Sequence, residues 1–337
     1  MKRISLLLPL VILFFGFSGL PVNKNSHTQS IKLPKYDHIV IVIEENKSYD
    51  QIVGNKAAPY LNSVLIKEGA NLTQMYAEEH FSEGNYFWLL SGSNQDVKFF
   101  DGTPDKNNNP NYPFHTDNVA HQLIKKGYTF KGYSESLPEI GDTISLSGHY
   151  ARKHVPWISF ANIPNGKTIK TSSNLQFKQF PTDFKKLPTL SIVIPNLIHD
   201  MHDGTPPQSV KDGDAWLEKN LDKYYQWAKK HNSLLIFTFD ENDDSTHYSG
   251  LTDPASKDHS IRNRIPTIIA GAHIKHGDYK EGNGVTHVNI LRTIEAIYGL
   301  SKVGNQQENA LKFGISNDYI ITDIFSKLRK VILKNNI

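Results

Sequence analysis

Short runs of residues that are apolar on both alternating faces recur along the chain and predict buried strands. The clearest runs are Ile39–Ile43 and Leu234–Phe239. Further strands are predicted at Tyr128–Tyr133, Leu190–Ile194 and Ile265–Ala270. Runs without polar alternation are typical of strands that are covered on both faces, as in a parallel sheet.

Apolar residues at helical spacing fall between these runs and predict amphipathic helices. The predicted helices are Ala57–Glu68, Phe81–Leu90, Asn118–Lys126, Asp214–Lys230 and Val288–Tyr298. Gly299 follows the last of them and is a typical helix stop. Strands that alternate with helices predict an α/β fold with a mainly parallel central sheet.

Residues 137–187 do not show a regular pattern and are rich in Gly, Pro, Ser and aromatic residues. Long irregular segments in compact domains are often functional. We therefore predict a loop-rich insertion over the active edge of the sheet, with limits at about 93–187. The domain that contains it is predicted to span 33–330.

The N-terminus has the pattern of an export signal, which we place at residues 1–20. Lys2 and Arg3 precede the apolar stretch Ile4–Phe17, and Ser18 and Gly19 are the small residues before cleavage. An uncleaved membrane anchor is the alternative, although the stretch is short for a span. Residues 21–32 are polar and predict a disordered linker. The expected location is the periplasm or the outside of the cell.

Composition narrows the classes of function. The 337 residues are 38% hydrophobic, enough for one large α/β domain or two smaller ones. The net charge of +3 is scattered along the chain, so neither nucleic-acid binding nor a protein partner is indicated. The chain has no Cys, which excludes disulfides and thiol chemistry. Its stability must come from the core or from a bound metal.

Two acidic clusters follow the two clearest strands. Glu44, Glu45 and Asn46 come after the first strand, and Asp240–Asp244 comes after the second. The carboxyl ends of parallel strands lie at one edge of a sheet, so the two clusters are expected to meet there. A hard divalent cation is the usual partner of such concentrated negative charge. The alternatives are a helix cap for the first cluster and a polar turn for the second.

Ser82 is the strongest candidate nucleophile. It lies in the segment His80–Tyr86, where a loop is predicted to enter a helix whose N–H groups can stabilise phosphate. Metal coordination can activate such a hydroxyl. Asn85 follows one turn later and could donate to a phosphoryl oxygen. A plain N-cap serine is the alternative, and Ser91 and Ser93 are weaker rivals.

Histidine and aspartate are dense after the strand that ends at Ile194. Within Pro195–Asp203 we favour Asp200 and His202 for a metal or phosphate site, with a solvated turn as the alternative. His287, just before the last helix, is a candidate ligand, phosphate donor or cap. His154 belongs to the predicted insertion.

These residues together resemble the acid phosphatase and phospholipase C phosphoesterase family of the alkaline phosphatase superfamily. The matching stretches, in chain order, are Ile43–Asp50, His80–Ser82 with Asn85 and Tyr86, Ser91–Ser93, Tyr133–Pro138, Tyr150 with His154 and Pro156, Pro195–Asn196 with His199–His202, Phe239–Glu241, and His287 with Leu291–Glu295. The resemblance spans roughly Tyr36 to Leu300, and eight motifs in order are a specific signal.

The resemblance implies a three-layer α/β/α, alkaline phosphatase-like fold and assigns roles to the candidate residues. The implied metal ligands are Glu45, Asn46, Ser82, Asp240 and Glu241, for one divalent ion with room for a second. The implied catalytic residues are Ser82, Asn85 and His80. The implied substrate-binding residues are Asp200, His202, His287 and His154. Ser82 would attack phosphorus and form a phosphoserine that water then hydrolyses. Phe81 and Gly84 stand where the family often has proline, which predicts a looser loop around Ser82.

The expected function is therefore a secreted, metal-dependent acid phosphatase that acts on phosphomonoesters. The chain ends soon after Ser326, which favours the short acid phosphatase type. A phospholipase C type phosphodiesterase is the alternative of the same class, and for it Tyr150, Trp157 and Phe160 would meet phospholipid. A non-catalytic phosphate-binding protein is the alternative of another class.

Overall fold

The computed structural model describes residues 29–97, 102–243, 263–280, 284–304, 314–316, 318–326 and 329–332. The helices are α1 Tyr49–Ile52, α2 Ile66–Glu68, α3 Ser82–Ser91, α4 Val119–Lys125, α5 Gln208–Ala228 and α6 His287–Tyr298. The strands are β1 Gln29–Lys32, β2 His38–Glu44, β3 Ala70–Leu72, β4 Met75–Tyr76, β5 Phe130–Ser134, β6 Leu146–Ser147, β7 Tyr150–Ala151, β8 Asn174–Gln176, β9 Leu190–Ile194, β10 Ser233–Phe239, β11 Thr267–Gly271, β12 Gly277–Tyr279, β13 Val285–Thr286 and β14 Arg329–Ile332. A π-helical turn spans Leu61–Leu65, and 3₁₀ turns span Arg152–His154, Pro156–Ser159, Phe177–Gln179 and Phe184–Lys186.

The predicted export signal and most of the predicted linker lie outside the described residues, as does Asp244 of the second acidic cluster. The last four residues of the predicted linker form β1, which pairs with β14 in a two-stranded sheet. Residues 32–329 form the compact unit to which the site belongs. Within the described ranges, no helix is long and apolar enough to span a bilayer.

An eight-stranded sheet is the centre of this unit, with the order β12-β3-β11-β10-β2-β9-β5-β8. The five strands from β10 to β8 in this order are parallel to one another. Strand β11 runs antiparallel to both β10 and β3. The prediction of a mainly parallel sheet is confirmed. The carboxyl ends of β2, β5, β9 and β10 therefore lie at the same edge, which we call the C-terminal edge.

Helices cover both faces of the sheet, which gives three layers. Ile39 lines an apolar gap together with Ile290 and Ile294, so α6 lies on the face to which Ile39 points. The ring of His38, one residue earlier, contacts that of Trp227 on α5 at 5.9 Å. Successive strand residues point to opposite faces, so α5 covers the other face. Burial on both sides explains why β2 is apolar without alternation.

The segment 93–187 contributes directly to this sheet. It contains α4, close to the helix predicted at 118–126, and β5, close to the strand predicted at 128–133. Strand β8 also belongs to it and pairs with β5 at the end of the sheet. Among its described residues, the parts outside the sheet lie before β5, between β5 and β8, and after β8.

Candidate active site

The loops that follow β2, β9 and β10 are joined by backbone hydrogen bonds at the C-terminal edge. Glu45 N donates to Asp200 O at 2.7 Å, and Asp240 N donates to Glu44 O at 3.1 Å. Asn46 has a left-handed backbone (φ 44°) that turns the chain sharply after β2. The structure therefore brings the two acidic clusters together.

Asn46 connects the two clusters through its backbone and its side chain. Its N–H donates to Asp240 Oδ1 at 3.1 Å, and its Nδ2 donates to Glu241 Oε1 at 3.3 Å. Its own Oδ1 is buried and has no hydrogen-bond partner. The side-chain oxygen of Asn46 is thus available to a ligand.

Ser82 is the first residue of α3 and is 3% exposed. Its Oγ lies 3.1 Å from Glu45 Oε2 and 3.1 Å from Glu241 Oε1. A hydroxyl carries one proton and donates to one carboxylate at a time. The hydroxyl therefore sits between the two acidic clusters, at the amino end of a helix, where negative charge is favoured.

Hydrogen bonds fix the loop that leads into Ser82. Asn85 Oδ1 accepts from the N–H groups of Glu78 and Glu79, each at 3.0 Å, and Asn85 Nδ2 donates to Glu79 O at 2.6 Å. A Cβ on Gly84 would lie 1.9 Å from Glu79 Oε1, so only glycine leaves room for that carboxylate. The sequence predicts a looser loop here, but Asn85 and Gly84 hold it without proline. These bonds place the Asn85 amide on the loop backbone, where it acts as a positioning group.

Tyr86 supports Glu45 from the next turn of α3. Its hydroxyl donates to Glu45 Oε1 at 2.5 Å, and its ring stacks on His154 with centroids 5.4 Å apart. His154 Nε2 lies 3.2 Å from Glu45 Oε1, and burial lowers the pKa of His154 well below its ordinary value. The sequence alone predicts no role for Tyr86. Its spacing of four from Ser82, which places both on one helix face, is the signal that could have found it.

His80 and Asp200 each present a buried atom without a hydrogen-bond partner. His80 Nδ1 contacts Glu241 Oε2, while its Nε2 has no partner. Asp200 Oδ1 accepts from His202 N at 2.9 Å, and its Oδ2 has no hydrogen bond, with His154 Nδ1 at 3.7 Å. The His202 ring lies further out and pairs with Asp203 at 2.9 Å.

His287 lies behind the C-terminal edge rather than among the oxygen ligands. Its Nδ1 bonds Glu78 Oε2 at 2.7 Å, and its Nε2 bonds Phe239 O at 2.8 Å. Burial lowers the pKa of His287, but the charge of Glu78 and these hydrogen bonds raise it by more. Both partners are acceptors, so both ring nitrogens carry protons. In this arrangement neither nitrogen is available to a phosphate or a metal.

Four buried carboxylates give the C-terminal edge its electrostatic character. Burial is the largest cause that raises the pKa of each of Glu45, Asp200, Asp240 and Glu241. The nearby Lys47 ammonium donates to Asn46 O at 2.9 Å rather than to a carboxylate. Buried negative charge that nearby cations do not fully offset requires either protons or a bound cation.

The donor set suits a hard divalent cation, although the side chains are arranged around the Ser82 hydroxyl. In the part of the chain that the structure describes, no group of three or more His, Asp or Glu is spaced to hold a metal ion. Asn46 Oδ1 and Asp240 Oδ2 are nevertheless buried oxygens without partners. Carboxylate and amide oxygens are the ligands that such cations prefer.

The fold is similar to that of a protein of the alkaline phosphatase superfamily. It matches the solved structure of a superfamily protein from Vibrio parahaemolyticus with a TM-score of 0.53 and 16% identity, over 80% of this chain and 68% of that one. At this identity the likeness establishes the fold alone. It confirms the three-layer α/β/α architecture that the motifs imply.

The chain belongs to the Phosphoesterase family, whose sequence model matches residues 55–301. It is 43% identical over 274 residues to a phosphatidylinositol-3-phosphatase of Mycobacterium tuberculosis, covering 81% of this chain and 80% of the relative. A probable acid phosphatase of Kluyveromyces lactis is 26% identical over 286 residues, which are 82% of this chain and 61% of that longer protein. The predicted family is confirmed, and the protein is a phosphoric ester hydrolase. Ser82, Asp240 and Glu241 fall inside the family match, and Glu45 and Asn46 precede it.

Proposed function

We propose that the protein is a metal-dependent acid phosphatase that hydrolyses phosphomonoesters through a phosphoserine at Ser82. The observation that carries this proposal is the position of Ser82 Oγ, 3.1 Å from Glu45 and 3.1 Å from Glu241 at the amino end of α3. The relatives named as phosphatases support a phosphomonoester substrate, and the M. tuberculosis relative extends the class to phosphoinositides.

Glu45, Asn46, Asp240 and Glu241 would hold one divalent ion together with the Ser82 hydroxyl. The unpartnered oxygens of Asn46 and Asp240 support this assignment. When bound, the ion supplies positive charge that offsets the buried carboxylates and favours the ionised serine.

The residues around Ser82 account for the steps of the reaction. Ser82 Oγ forms its bond to phosphorus as the bond from phosphorus to the leaving oxygen breaks, and its proton passes to Glu45 or Glu241. The leaving oxygen takes a proton from water. The first N–H groups of α3 favour the negative phosphate during both steps. The hydroxide that remains then attacks the phosphoserine, the bond from phosphorus to Ser82 Oγ breaks, and Ser82 Oγ takes back its proton from the glutamate that accepted it.

The test is hydrolysis of an aryl phosphate from about pH 4 to about pH 8, the range in which carboxylate and histidine catalysts titrate. Purified protein is treated with chelator and then supplied with single divalent metals. We expect turnover only after metal is restored. Ser82→Ala should lower turnover by about 10³-fold or more, because the nucleophile is lost.

Ser91→Ala is the matched control for this experiment. Ser91 lies at the other end of α3, and its hydroxyl bonds the carbonyls of Phe87 and Ser93 at 2.9 and 3.0 Å. It should retain turnover. Failure to hydrolyse the ester with any divalent metal, or full activity of Ser82→Ala, contradicts the proposal.

The phosphodiesterase alternative requires aromatic side chains of the predicted insertion to meet phospholipid, and the structure does not present them at the surface. Tyr150, Trp157 and Phe160 are all buried, and Trp157 packs directly against Gly132 of β5. Aromatic rings in the core are not available to lipid. Comparing turnover of aryl phosphate with that of a phosphocholine ester tests this choice, and we expect the monoester to be the better substrate.

The proposal also includes export from the cytoplasm, supported by the charged, apolar and small residues of the N-terminus. N-terminal sequencing of protein recovered from outside the cytoplasm should begin near residue 20. Protein found only in the cytoplasm with Met1 intact contradicts this part of the proposal.

A further inference from the structure

Glu135 lies at the C-terminal edge, one residue after the end of β5, and has no role in the proposed reaction. Strand β5 pairs in parallel with β9, and Glu135 N continues this pairing by donating to Ile194 O at 2.9 Å. The segment that follows Ile194 leads to Asp200. Glu135 therefore lies beside the turn that carries one of the four buried carboxylates of the candidate site.

Three N–H groups, from a backbone amide, an imidazole and an indole, converge on the Glu135 carboxylate. Its Oε2 accepts from Asn196 N at 3.0 Å and from His199 Nδ1 at 2.8 Å, and its Oε1 accepts from Trp216 Nε1 of α5 at 3.0 Å. An ionised carboxylate only accepts hydrogen bonds, which assigns a proton to Nδ1 of the His199 ring. The oxygens of Glu135 thus bind N–H groups of the protein, whereas Asp240 Oδ2 has no such partner.

Ring packing holds the indole donor in place. The His199 and Trp216 rings stack with their centroids 6.2 Å apart and an interplanar angle of 25°. The Trp216 ring also contacts that of Phe177 at 5.0 Å, and Trp216 is buried. A buried indole that packs on two rings has little freedom to move, so Trp216 fixes the Glu135 carboxylate from the side of α5.

Glu135 in turn holds the turn that ends at Asp200. Asn196, whose N–H it accepts, receives further bonds from this turn. Asn196 Oδ1 accepts from Ile198 N and His199 N, both at 3.1 Å, and Asn196 O accepts from Asp200 N at 2.8 Å. Asn196 therefore connects Glu135 to Asp200.

The turn reaches Ser82 through the backbone of Glu45. Asp200 O accepts from Glu45 N at 2.7 Å, and Glu45 Oε2 lies 3.1 Å from Ser82 Oγ. Together with the bonds at Asn196, these contacts join Glu135 to Ser82 without a break. A shift of the turn would move the peptide group of Glu45 and, with it, a carboxylate that is proposed to bind the cation. Contacts behind a metal ligand set the orientation of that ligand.

We propose that Glu135 is a positioning residue for Glu45: it holds the turn 196–200, whose last carbonyl orients Glu45 toward Ser82 and toward the proposed cation. Glu135 acts through that turn and does not touch substrate or metal. The use of this geometry in catalysis rests on the proposed phosphatase function. The geometry itself does not require turnover and is measured separately.

Glu135→Gln tests the proposal, because it keeps the size of the side chain but replaces one acceptor oxygen with an NH₂ group. Calorimetric titration of Mg²⁺, Mn²⁺ and Zn²⁺ into metal-free protein should show about tenfold weaker binding, as is typical when a contact behind a ligand is lost. For an aryl phosphate, kcat should fall by a similar factor. In hydrogen-exchange mass spectrometry without metal, peptides that contain Glu45 or residues 196–200 should exchange about tenfold faster.

Asn196→Ala interrupts the same connection at the turn itself. It keeps the backbone bond to Glu135 but removes the Oδ1 acceptor of the turn. We expect weaker metal binding and faster exchange at Glu45, as in Glu135→Gln. The double variant should lose less binding free energy than the sum of the two single losses, since both changes act on one turn. If Glu135→Gln does not fold, Asn196→Ala alone decides the question.

Glu68→Gln is the matched control for the loss of a carboxylate acceptor. Glu68 Oε2 accepts from the Tyr225 hydroxyl at 2.9 Å and from Lys229 Nζ at 2.7 Å. Lys229 follows the end of α5 and precedes β10, so these contacts lie at the edge of the sheet opposite the candidate site. Metal affinity, kcat and exchange at Glu45 should stay within about twofold of the wild type in this variant.

The outcomes separate this proposal from the proposed function. Faster exchange at Glu45 in Glu135→Gln and Asn196→Ala, in a protein that binds no divalent metal and hydrolyses no aryl phosphate, upholds the positioning and contradicts the phosphatase function. Unchanged metal affinity and unchanged exchange at Glu45 in both variants overturn the positioning, even if kcat falls. Equal losses in Glu68→Gln also overturn it, because they would reflect a general loss of stability.

Discussion

Glu45 receives hydroxyl hydrogen bonds on both of its carboxylate oxygens, from Ser82 on Oε2 and from Tyr86 on Oε1. Both donors come from one face of α3, so a single helix sets the orientation of the carboxylate. Burial at the same time raises the pKa of Glu45, with further increases from Asp240 and Asp200. At the scale of the residue, Tyr86 therefore fixes the orientation of a carboxylate that contacts Ser82, the proposed nucleophile.

Replacing Tyr86 with phenylalanine should lower kcat/KM for an aryl phosphate by about tenfold, as is typical when the partner of a site carboxylate is removed. The ring and its stacking on His154 are kept, while the 2.5 Å hydrogen bond is lost. Tyr150→Phe is the matched control, because the Tyr150 hydroxyl is buried and has no hydrogen-bond partner. Equal kinetics for the two variants would show that Tyr86 does not position Glu45.

His287 should make a contribution to stability that depends on pH. Its folded pKa is raised, so the contribution is complete below about pH 6.5, the ordinary value for histidine, and is lost as the pH rises through the raised value. Urea unfolding should show that His287→Gln costs more free energy at about pH 6 than at about pH 9. Exposed His276→Gln should cost little at either pH. If His287→Gln lowered the free energy of unfolding equally at both pH values, the positive charge assigned to His287 would be contradicted.

At the scale of elements, the turn between β4 and α3 determines where Ser82 lies. Its backbone is held by the Asn85 side chain rather than by regular secondary structure. The same turn is tied to α6, because Glu78 accepts from His287 and from Val288 N at 2.9 Å. Two helices and the end of β10 thus share one small group of polar contacts behind Ser82.

Asn85→Ala should lower the free energy of unfolding by about 2 kcal/mol or more, since three buried backbone groups lose their partner. Turnover should fall as well, because Ser82 is no longer held. Asn220→Ala, which removes one hydrogen bond to Trp216 O on α5, should change stability by only about 0.5 kcal/mol. Lost turnover with unchanged stability would instead support direct contact of Asn85 with phosphate, the role that the family resemblance implies.

Strands β2, β9 and β10 could be predicted because burial on both faces leaves an unbroken apolar run. Strands β3, β8 and β12 could not, because each has three residues and includes a polar one, Asn71, Asn174 or Asp278. A polar side chain is accommodated at Asn71 because its Nδ2 donates to the Tyr49 hydroxyl and to Asp278 Oδ1. These hydrogen bonds join different elements, so no local sequence pattern shows them.

The same distinction holds for the candidate site. The meeting of Glu45 and Asp240 follows from their positions after two strands that turn out to be neighbours, so the sequence could predict it. The contacts of Asn85 and His287 depend on which backbone groups lie opposite them. His287 and Glu78 are 209 positions apart.

At the scale of the whole molecule, the site is a junction of elements that are distant in sequence. Glu45 follows β2, Asp200 follows β9, Asp240 follows β10, and Ser82 begins α3. Mutual repulsion among the buried carboxylates opposes this arrangement unless it is neutralised. The proposed cation would therefore stabilise the fold as well as the reaction.

A divalent cation should raise the Tm of the wild type, and chelator should reverse the shift. Saturation at about 100 times Kd corresponds to about 2.7 kcal/mol. Asp240→Asn should lose most of this response, because a ligand carboxylate is removed. Glu44→Gln, the residue before Glu45 and equally buried, should keep it. A Tm that is insensitive to every divalent metal and to chelator would contradict a structural effect of the cation.

The position of β10 between β2 and β11 also bears on biosynthesis. Strand β2 leaves the ribosome early, yet its neighbour on that side is Ser233–Phe239, far along the chain. A nascent polypeptide must keep one side of β2 unpaired until that late segment emerges. Any product truncated before Asp240 lacks two of the four carboxylates around Ser82, Asp240 and Glu241, so we expect incomplete chains to lack phosphatase activity.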